Sequence, residues 1–577
     1  MKKKNPVTIN LISLIITAVL GFIYFYVSLP ALNIHDKQFY SFIIGLVIVY
    51  LVSMLLLTGI RTGDAKLVVS ELWRVAKIGV FVLAAVIIIT VIGALTGVKL
   101  FRAASYSNLM TIEQGDFTED VSEISMNQIP LLDKDSANTL ANRKLGELSD
   151  LVSQFNVSDN SSQLNYHNKP VRVNYLNYDS FFKWFKNRKQ GLPAYMITDM
   201  VTQEVSVVRL DEGVKFSPSE YFNNDLMRKL RFIHPGFIYD EVNFEIDEEG
   251  MPYWIASVVT KRIGLFDGDD IAGAVILNAV TGESEYYPMS DIPTWVDKAV
   301  SADMVMTQYD YYGSYHNGFF NRLFTQTDCT ETTDGYNYLA LNDDVYFYSG
   351  ITSISGDRGN IGFILVNQRT KEAKYYVCAG AEEYSAMSSA QGAVQQYNYT
   401  ATFPLLLNIA DEPTYFMALK DYSGLVKMYA YVNVQQYQLV GTGTSVASAQ
   451  KAYTDLLTEN GIITPVPEEV YEEALPKDDA AAETPLAPVI PTPAPEPGEV
   501  LNYTVPVAGT VTEIRRAEVS GNTMLYLYVA AEDGTSTVCR LSVADDESII
   551  LLNEGEEISL LAAAEDAGKE ILRAIKD

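Results

Sequence analysis

One run in this 577-residue chain gathers residue types that could do chemistry: YDYYGSYHNGFFNRLF, from Tyr309 to Phe324. Within it Tyr309, Asp310, Tyr312, Tyr315 and His316 are the candidate ligand contacts. Tyrosine rings offer a flat face and a hydroxyl to a sugar or peptide, and Asp310 with His316 supplies acid and base functions. A loop of this kind, Tyr309 to Phe320, would serve a hydrolase if the two groups converged in one cleft with displaced pKa values. An aromatic insertion packed between β modules accounts for the same residues more simply.

Elsewhere the chemistry thins out. The four histidines, His35, His167, His234 and His316, stand in no HExxH or similar spacing and none is near a cysteine in sequence, which argues against zinc. Asp267, Asp269 and Asp270 sit in a DGDD string that invites calcium, but the rest of a calcium loop is missing and Gly268 reads as a tight hairpin turn. Of the cysteines, Cys329 and Cys378 leave a disulfide open, because sequence does not place their Cα atoms, while Cys539 reads as a buried thiol in a strand. No GxSxG, no supported SxxK, no phosphate-binding glycine loop and no GxGxxG after a strand occurs. The chain is therefore read with no catalytic residues, no cofactor and no metal.

The elements that must position any site begin with three apolar runs, Val7 to Leu29, Ser41 to Ile60 and Ile78 to Val98. Each lacks Asp, Glu, Lys, Arg and His and is close to the ~20 residues that cross ~30 Å of hydrocarbon. Lys2, Lys3 and Lys4 give the first run the flank of a secretory signal, but its core is too long and two more spans follow at once. Uncharged spans suit an anchor better than a transporter. Lys2 to Lys4 at the start, and Arg61, Lys66, Arg74 and Lys77 in the second loop, place those ends in the cytoplasm and everything after residue 103 outside. Up to residue 103 there are ten basic and three acidic residues, a net of +7; the remainder holds 32 basic and 69 acidic, a net of −37. So acidic an outer part repels phosphates, and no nucleic acid is expected as a partner.

Residues 104–169 read as a polar, partly helical connector, with a helix over Leu131–Leu151. Beyond Pro170 short runs rich in Val, Ile, Tyr and Phe alternate with Gly, Asp and Asn, which is how strands and turns are written. One pattern returns: YMITDMVTQEVSVV at Tyr195–Val208, AVILNAVTGESEYY at Ala274–Tyr287 and FILVNQRTKEAKYY at Phe363–Tyr376, with a looser copy at Tyr415–Tyr429. Asp199, Asn278 and Asn367 share one turn position, where the side chain can bond its own backbone and reverse the chain. Helices are expected at Ser217–His234, Ala386–Tyr397 and Ser445–Leu457, and a hairpin turn around Asp267–Asp270.

A helix followed by EIDEEGMPYWIASVV (Glu245 to Val259) and AGAVILNAVTGESEYY (Ala272 to Tyr287) resembles the PepSY type of extracytoplasmic module. Asn278, Thr281 and Gly282 match that family's last turn, whereas Thr370-Lys371 departs from it. The resemblance implies helices packed on small antiparallel sheets over 170–461, and binding or regulation in place of catalysis. Nine of the 22 prolines crowd into Pro465–Pro497, so 462–499 reads as an extended spacer. Residues 500–577 read as about five short strands resembling the OB type of small barrel, with a terminal helix over Glu565–Lys576.

The expected fold class is thus α+β: a three-helix transmembrane anchor (1–103), antiparallel β-rich repeat modules with packed helices, and a small C-terminal β-barrel. The function expected is that of a non-enzymatic, multi-pass, membrane-anchored binding, scaffold or regulatory protein of a bacterial cell envelope. Its partners would be the lipid bilayer and an envelope protein or cell-wall polymer. A cell-envelope hydrolase using Asp310 and His316 is the alternative.

Overall fold

The computed structural model describes residues 6–464 apart from 63–64, 124–127, 342, 355–358 and 423, and then 503–519, 522–530, 536–542, 552, 556–563 and 571–576. The proline-rich spacer expected at 462–499 lies almost wholly outside the described residues.

Charge-free stretches have no polar face to show a sheet or a solvent, and they form α1 (Pro6–Ser28) and the central or later parts of α2 (Lys37–Thr62) and α3 (Ala65–Thr96), whose charged residues lie toward the α2–α3 connection and at the start of α2. The segments Thr8–Ser28, Lys37–Leu57 and Gly79–Thr96 are long and apolar enough to cross a membrane. Gly79 lets α3 approach α2 closely, since a Cβ there would lie 2.8 Å from the Leu51 side chain. Short elements follow: α4 (Lys99–Ser107), β1 (Ile112–Gln114) and α5 (Phe117–Asp120).

Four helix-and-meander groups come next. The first is α6 (Lys134–Gly146), β2 (Phe155–Tyr166), β3 (Lys169–Tyr178), α7 (Phe181–Asn187), β4 (Leu192–Asp199) and β5 (Val205–Val214), its strands in sheet order β2-β3-β4-β5. The second is α8 (Leu226–Ile233), β6 (Ile238–Ile246), β7 (Pro252–Ile263), β8 (Asp267–Asn278) and β9 (Ser284–Pro288), again in sequential order. The third is α9 (Ala302–Tyr315), β10 (Thr330–Thr332), β11 (Asn337–Leu341), β12 (Asp344–Ser353), β13 (Gly359–Asn367) and β14 (Ala373–Ala381), with β1 added parallel to β14. The fourth is α10 (Glu383–Ala393), β15 (Thr400–Ala401), β16 (Leu405–Ile409), β17 (Glu412–Lys420), β18 (Val426–Asn433), β19 (Val440–Gly443) and α11 (Val446–Glu459). The chain divides into two compact units, and the smaller contains a closed barrel. It is made of β20 (Tyr503–Val519), β21 (Asn522–Ala530), β22 (Ser536–Ser542), β23 (Glu557–Ala563) and β24 (Ile571–Lys576).

Three hairpin turns are bonded alike. The Oδ1 of Asp199 accepts from the amides of Val201 and Thr202, that of Asn278 from Val280 and Thr281, and that of Asn367 from Arg369 and Thr370. Four residues past each of these the backbone turns left-handed, at Gln203, Gly282 and Lys371, so only one of the three uses the residue that does so without strain. Asn278→Ala is expected to cost about 1 kcal/mol, because two turn amides, one part-buried and one exposed, lose their acceptor, while Asn278→Asp should cost much less. Thermal unfolding of the two variants checks this; equal losses would mean that the side-chain oxygen is not what holds the turn.

The first two groups share a core. Trp254 is fully buried, 4.9 Å from Tyr175 and 5.1 Å from Phe244 between ring centroids, and its indole donates to the Phe216 carbonyl. Against the end of α1 the second group makes two bonds: the Leu32 amide donates to the Pro235 carbonyl at 2.7 Å, and the Arg231 side chain donates through Nε to the Leu29 carbonyl at 2.9 Å. At the end of α3, Thr96 Oγ1 accepts from the Leu265 amide. The α1–α2 connection and the end of α3 therefore lie on one side of the helices, the side of the sheets.

Several expectations are corrected. Residues 565–576 do not end in a helix: Ile571–Lys576 forms β24, antiparallel to β23 and parallel to β22, because two open strand edges take up its backbone. The boundary expected at 170 falls inside a hairpin, since Asn165 of the expected connector pairs with Pro170. The turn expected at Asp267–Asp270 lies at Gly264–Phe266, and those aspartates begin β8. The helix expected over Ser217–His234 starts only at Leu226, where Asp225 caps it by accepting from the Arg228 amide. The helix expected over Leu131–Leu151 is confined to Lys134–Gly146, capped by Asp133. Cys329, Cys378 and Cys539 are all free, buried thiols, so Cys329 and Cys378 are not paired.

Candidate functional site

Strand β3 shows why a site exists. Its sequence KPVRVNYLNY alternates Val171, Val173 and Tyr175 with Arg172 and Asn174, and both sets are buried. The polar set meets α6 and β2. Asn174 donates to Asn138 Oδ1 and to the Ser158 carbonyl, and the Ser161 hydroxyl also donates to Asn138 Oδ1. A bulge between Val157 and Ser161 of β2 changes the register there, and Gln163 ends up directly across from Arg172.

Arg172 belongs to the lining of a cleft of about 640 Å³, shared with β6, β11, β17 and the segment before α9. Its Nη2 donates to Gln163 Oε1 at 3.1 Å and its Nη1 to the Ser161 carbonyl at 3.3 Å. Among the described residues, Arg172 Nε and Gln163 Nε2 are buried donors with no acceptor. Lys298, also buried, lines the same cleft with its ammonium 4.7 Å from the centre of the Tyr338 ring. No carboxylate oxygen comes within 4.0 Å of either cation among the described residues. Burial pulls the Arg172 guanidinium down to about 10, against the opposing pull of Tyr338, Asp133 and Asp135. Asp240 and Glu241 supply negative charge elsewhere in the lining; burial pushes the Asp240 carboxyl up although the Ser301 hydroxyl donates to it.

A buried guanidinium with no anion is costly to keep, several kcal/mol on general grounds, and such groups are normally paired. The cleft is thus suited to an anionic group that would complete the donors of Arg172, Gln163 and Lys298, on a ligand whose remainder meets aromatic and acidic walls.

The five residues singled out from the sequence lie elsewhere, and none lines this cleft. Four of them, Tyr309 to Tyr315, sit on α9 and not in a loop, and His316 is its C-terminal cap. Tyr309 is buried in a core cluster with Val305, Phe347 and Ile351. Asp310 accepts from the Thr332 amide at 2.9 Å and from its hydroxyl, and burial raises its carboxyl. His316 is exposed, its Nδ1 3.1 Å from the Tyr312 carbonyl and its ring stacked on Tyr312. Tyr315 stacks on Phe319. Asp310 and His316 therefore bond to different partners, and the convergence a hydrolase would need is not assembled. Two of the three DGDD aspartates are engaged with cations: Asp269 with Lys261, and Asp270 with Arg262 and Lys371.

Sequence reading missed Arg172. The signal was present, an arginine inside a Val- and Tyr-rich strand, but alternation of this kind ordinarily marks a face turned to water.

No family model, curated protein or solved structure matches the chain.

Proposed function

We propose that this chain is a non-enzymatic, membrane-anchored binding protein of a bacterial cell envelope, whose cleft at Arg172 holds a carboxylate-bearing partner such as a cell-wall peptide. The observation that carries the reading is the buried Arg172 guanidinium, lining the same cleft as Lys298, with neither cation paired to an anion among the described residues. A ligand carboxylate would offset the desolvation that the buried guanidinium bears.

The surrounding architecture agrees with this use. Helices packed on antiparallel meanders with a shared Asx turn are what a PepSY-like repeat would give, and the C-terminal closed barrel is of the size and strand number of an OB-like module. Lys2, Lys3 and Lys4 before α1, with Arg61, Lys66, Arg74 and Lys77 in the facing ends of α2 and α3, support an N-terminus in the cytoplasm and sheets outside. Asp310 bonds to Thr332 and His316 to Tyr312, which weighs against a hydrolase built on that pair.

The test is thermal unfolding of the full chain in detergent with soluble peptidoglycan fragments, whose stem peptides end in carboxylates. A rise in melting temperature that saturates with fragment concentration supports the reading. No rise, or an equal rise with fragments whose carboxylates have been amidated, overturns it.

A further inference from the structure

Two aromatic arms project from the sheets beside the ends of the apolar helices, and neither is used by the cleft. The first is α7 with its tail, FFKWFKNRK, from Phe181 to Lys189. Trp184 is buried and holds the arm by packing on Tyr221 at 4.8 Å and on Phe222 at 5.8 Å. Next to these, Asn223 accepts a hydrogen bond from the Tyr26 hydroxyl near the end of α1, and the Arg228 guanidinium lies 4.3 Å above the Tyr26 ring. With Trp184 turned inward, Phe182 is left 81% exposed, and Phe185 and Phe222 are exposed too.

The second arm is the far end of the aromatic run read from the sequence. The Tyr106 hydroxyl donates to the Gly97 carbonyl at the end of α3, and its ring lies 4.7 Å from Tyr311. From there Tyr315 stacks on Phe319, and Phe320 stacks on Phe324, which is 74% exposed. Leu323 is exposed beside them.

The charge of these arms is opposite to that of their surroundings. The part of the chain after residue 103 carries a net of −37, yet no acidic residue occurs from Ser180 to Thr198 or from Tyr311 to Thr327. Lys183 pairs with Asp179, whereas Lys186 and Lys189 are exposed and without a carboxylate partner among the described residues. Exposed phenylalanines beside cations, lysines in the first arm and Arg322 in the second, rooted at the ends of membrane-length helices, match the headgroup layer of an anionic bilayer: rings enter the acyl boundary and cationic groups meet phosphates.

We infer that the α7 arm and the Phe319–Phe324 arm are lipid-contacting feet that seat the ectodomain on an anionic membrane surface, which rests on the reading of α1, α2 and α3 as membrane spans. An acidic ectodomain is repelled by anionic lipid as a whole. Two basic-aromatic contacts, one by the end of α1 and one by the end of α3, would set its height and tilt despite that repulsion.

The test uses the full chain reconstituted into bilayers of phosphatidylcholine alone or mixed with phosphatidylglycerol. Nitroxide labels are placed by Phe182→Cys, Phe324→Cys and Glu249→Cys, one at a time. Glu249 lies in the β6–β7 turn, at the opposite end of β7 from Leu265, which bonds to the end of α3, and so serves as the distant control. Labels at 182 and 324 are expected to be reached by oxygen and shielded from a water-soluble nickel complex, with 249 the reverse. Lys186→Glu with Lys189→Glu should raise nickel access at 182 at least twofold in the anionic bilayer and leave it unchanged in the neutral one. Aqueous readings at 182 and 324 in both bilayers, from protein that alkaline carbonate fails to strip from the membrane, would overturn the feet while leaving the spans intact. Protein that carbonate does strip would overturn the spans and the feet together. Shielding found only in native membranes would assign the arms to a protein partner and overturn the lipid assignment.

Discussion

Arg172→Met is expected to leave the protein at least as stable as the parent while weakening its hold on peptidoglycan fragments by about 100-fold or more. The two halves of this result come from the same atoms. In the parent the guanidinium is buried, donates to Gln163 and Ser161, leaves Nε without an acceptor and has no anionic partner among the described residues. Removing it frees three acceptor atoms, Gln163 Oε1 and the carbonyl and hydroxyl oxygens of Ser161, at about 1 kcal/mol each, and relieves the desolvation of a charge, which is worth several kcal/mol. Methionine fills the space with a flexible apolar chain, so the balance is near zero or favours the variant by about 1–3 kcal/mol. A ligand carboxylate, by contrast, loses a charge-assisted contact that the low-dielectric cleft strengthens. Denaturation and fragment titration on the same preparations separate the two effects. If Arg172→Met unfolded the protein by more than about 3 kcal/mol, the arginine would be a structural tie, and the binding reading would lose the observation it stands on.

That arginine marks where sequence stops being informative. The apolar helices were legible because a charge-free run of that length has few physical outcomes. The turns at Asp199, Asn278 and Asn367 were legible because a short polar side chain bonding its own amides is a local event. VRVNY in β3 was not, since alternation states which residues share a face and says nothing of what that face meets. Here it meets α6 and a bulged β2, both placed by tertiary packing. The same gap hid α9: YDYYGSY has weak helix formers, and the helix is secured from outside, by Ser301 capping its first turn and by Tyr309 entering a core cluster. In β24 a locally helical pattern yields to the two neighbouring strands that complete the barrel.

The second large effect is expected from pH. Raising it from about 5 to about 8 should lower the stability of the larger unit by on the order of 3 kcal/mol, through Glu245 and Asp297. Glu245 lies on β6 with no exposure, accepting from the amides of Asp297 at 2.9 Å and Lys298 at 3.0 Å. Asp297 is buried as well, and its Oδ2 accepts from the Asn165 amide at 2.8 Å. Burial is the main cause that raises both carboxyls; Glu245 is pushed up to about 7, and its nearby charge helps push Asp297 up. A carboxyl with a raised pKa in the folded state binds its proton more tightly than the unfolded chain does. Its stabilising contribution is complete below the unfolded value, near 4.5, and is lost as pH climbs through the folded one. Both carboxyls act in this direction, so they do not cancel. Glu245→Gln should flatten the slope between those pH values while keeping one acceptor oxygen for the Asp297–Lys298 backbone. Stability measured by denaturant at several pH values decides it. A flat or rising curve across that window would mean that the pair is already ionised in the folded protein. The outcome also bears on the cleft, because the amide that Glu245 holds belongs to Lys298, the second cation in its lining.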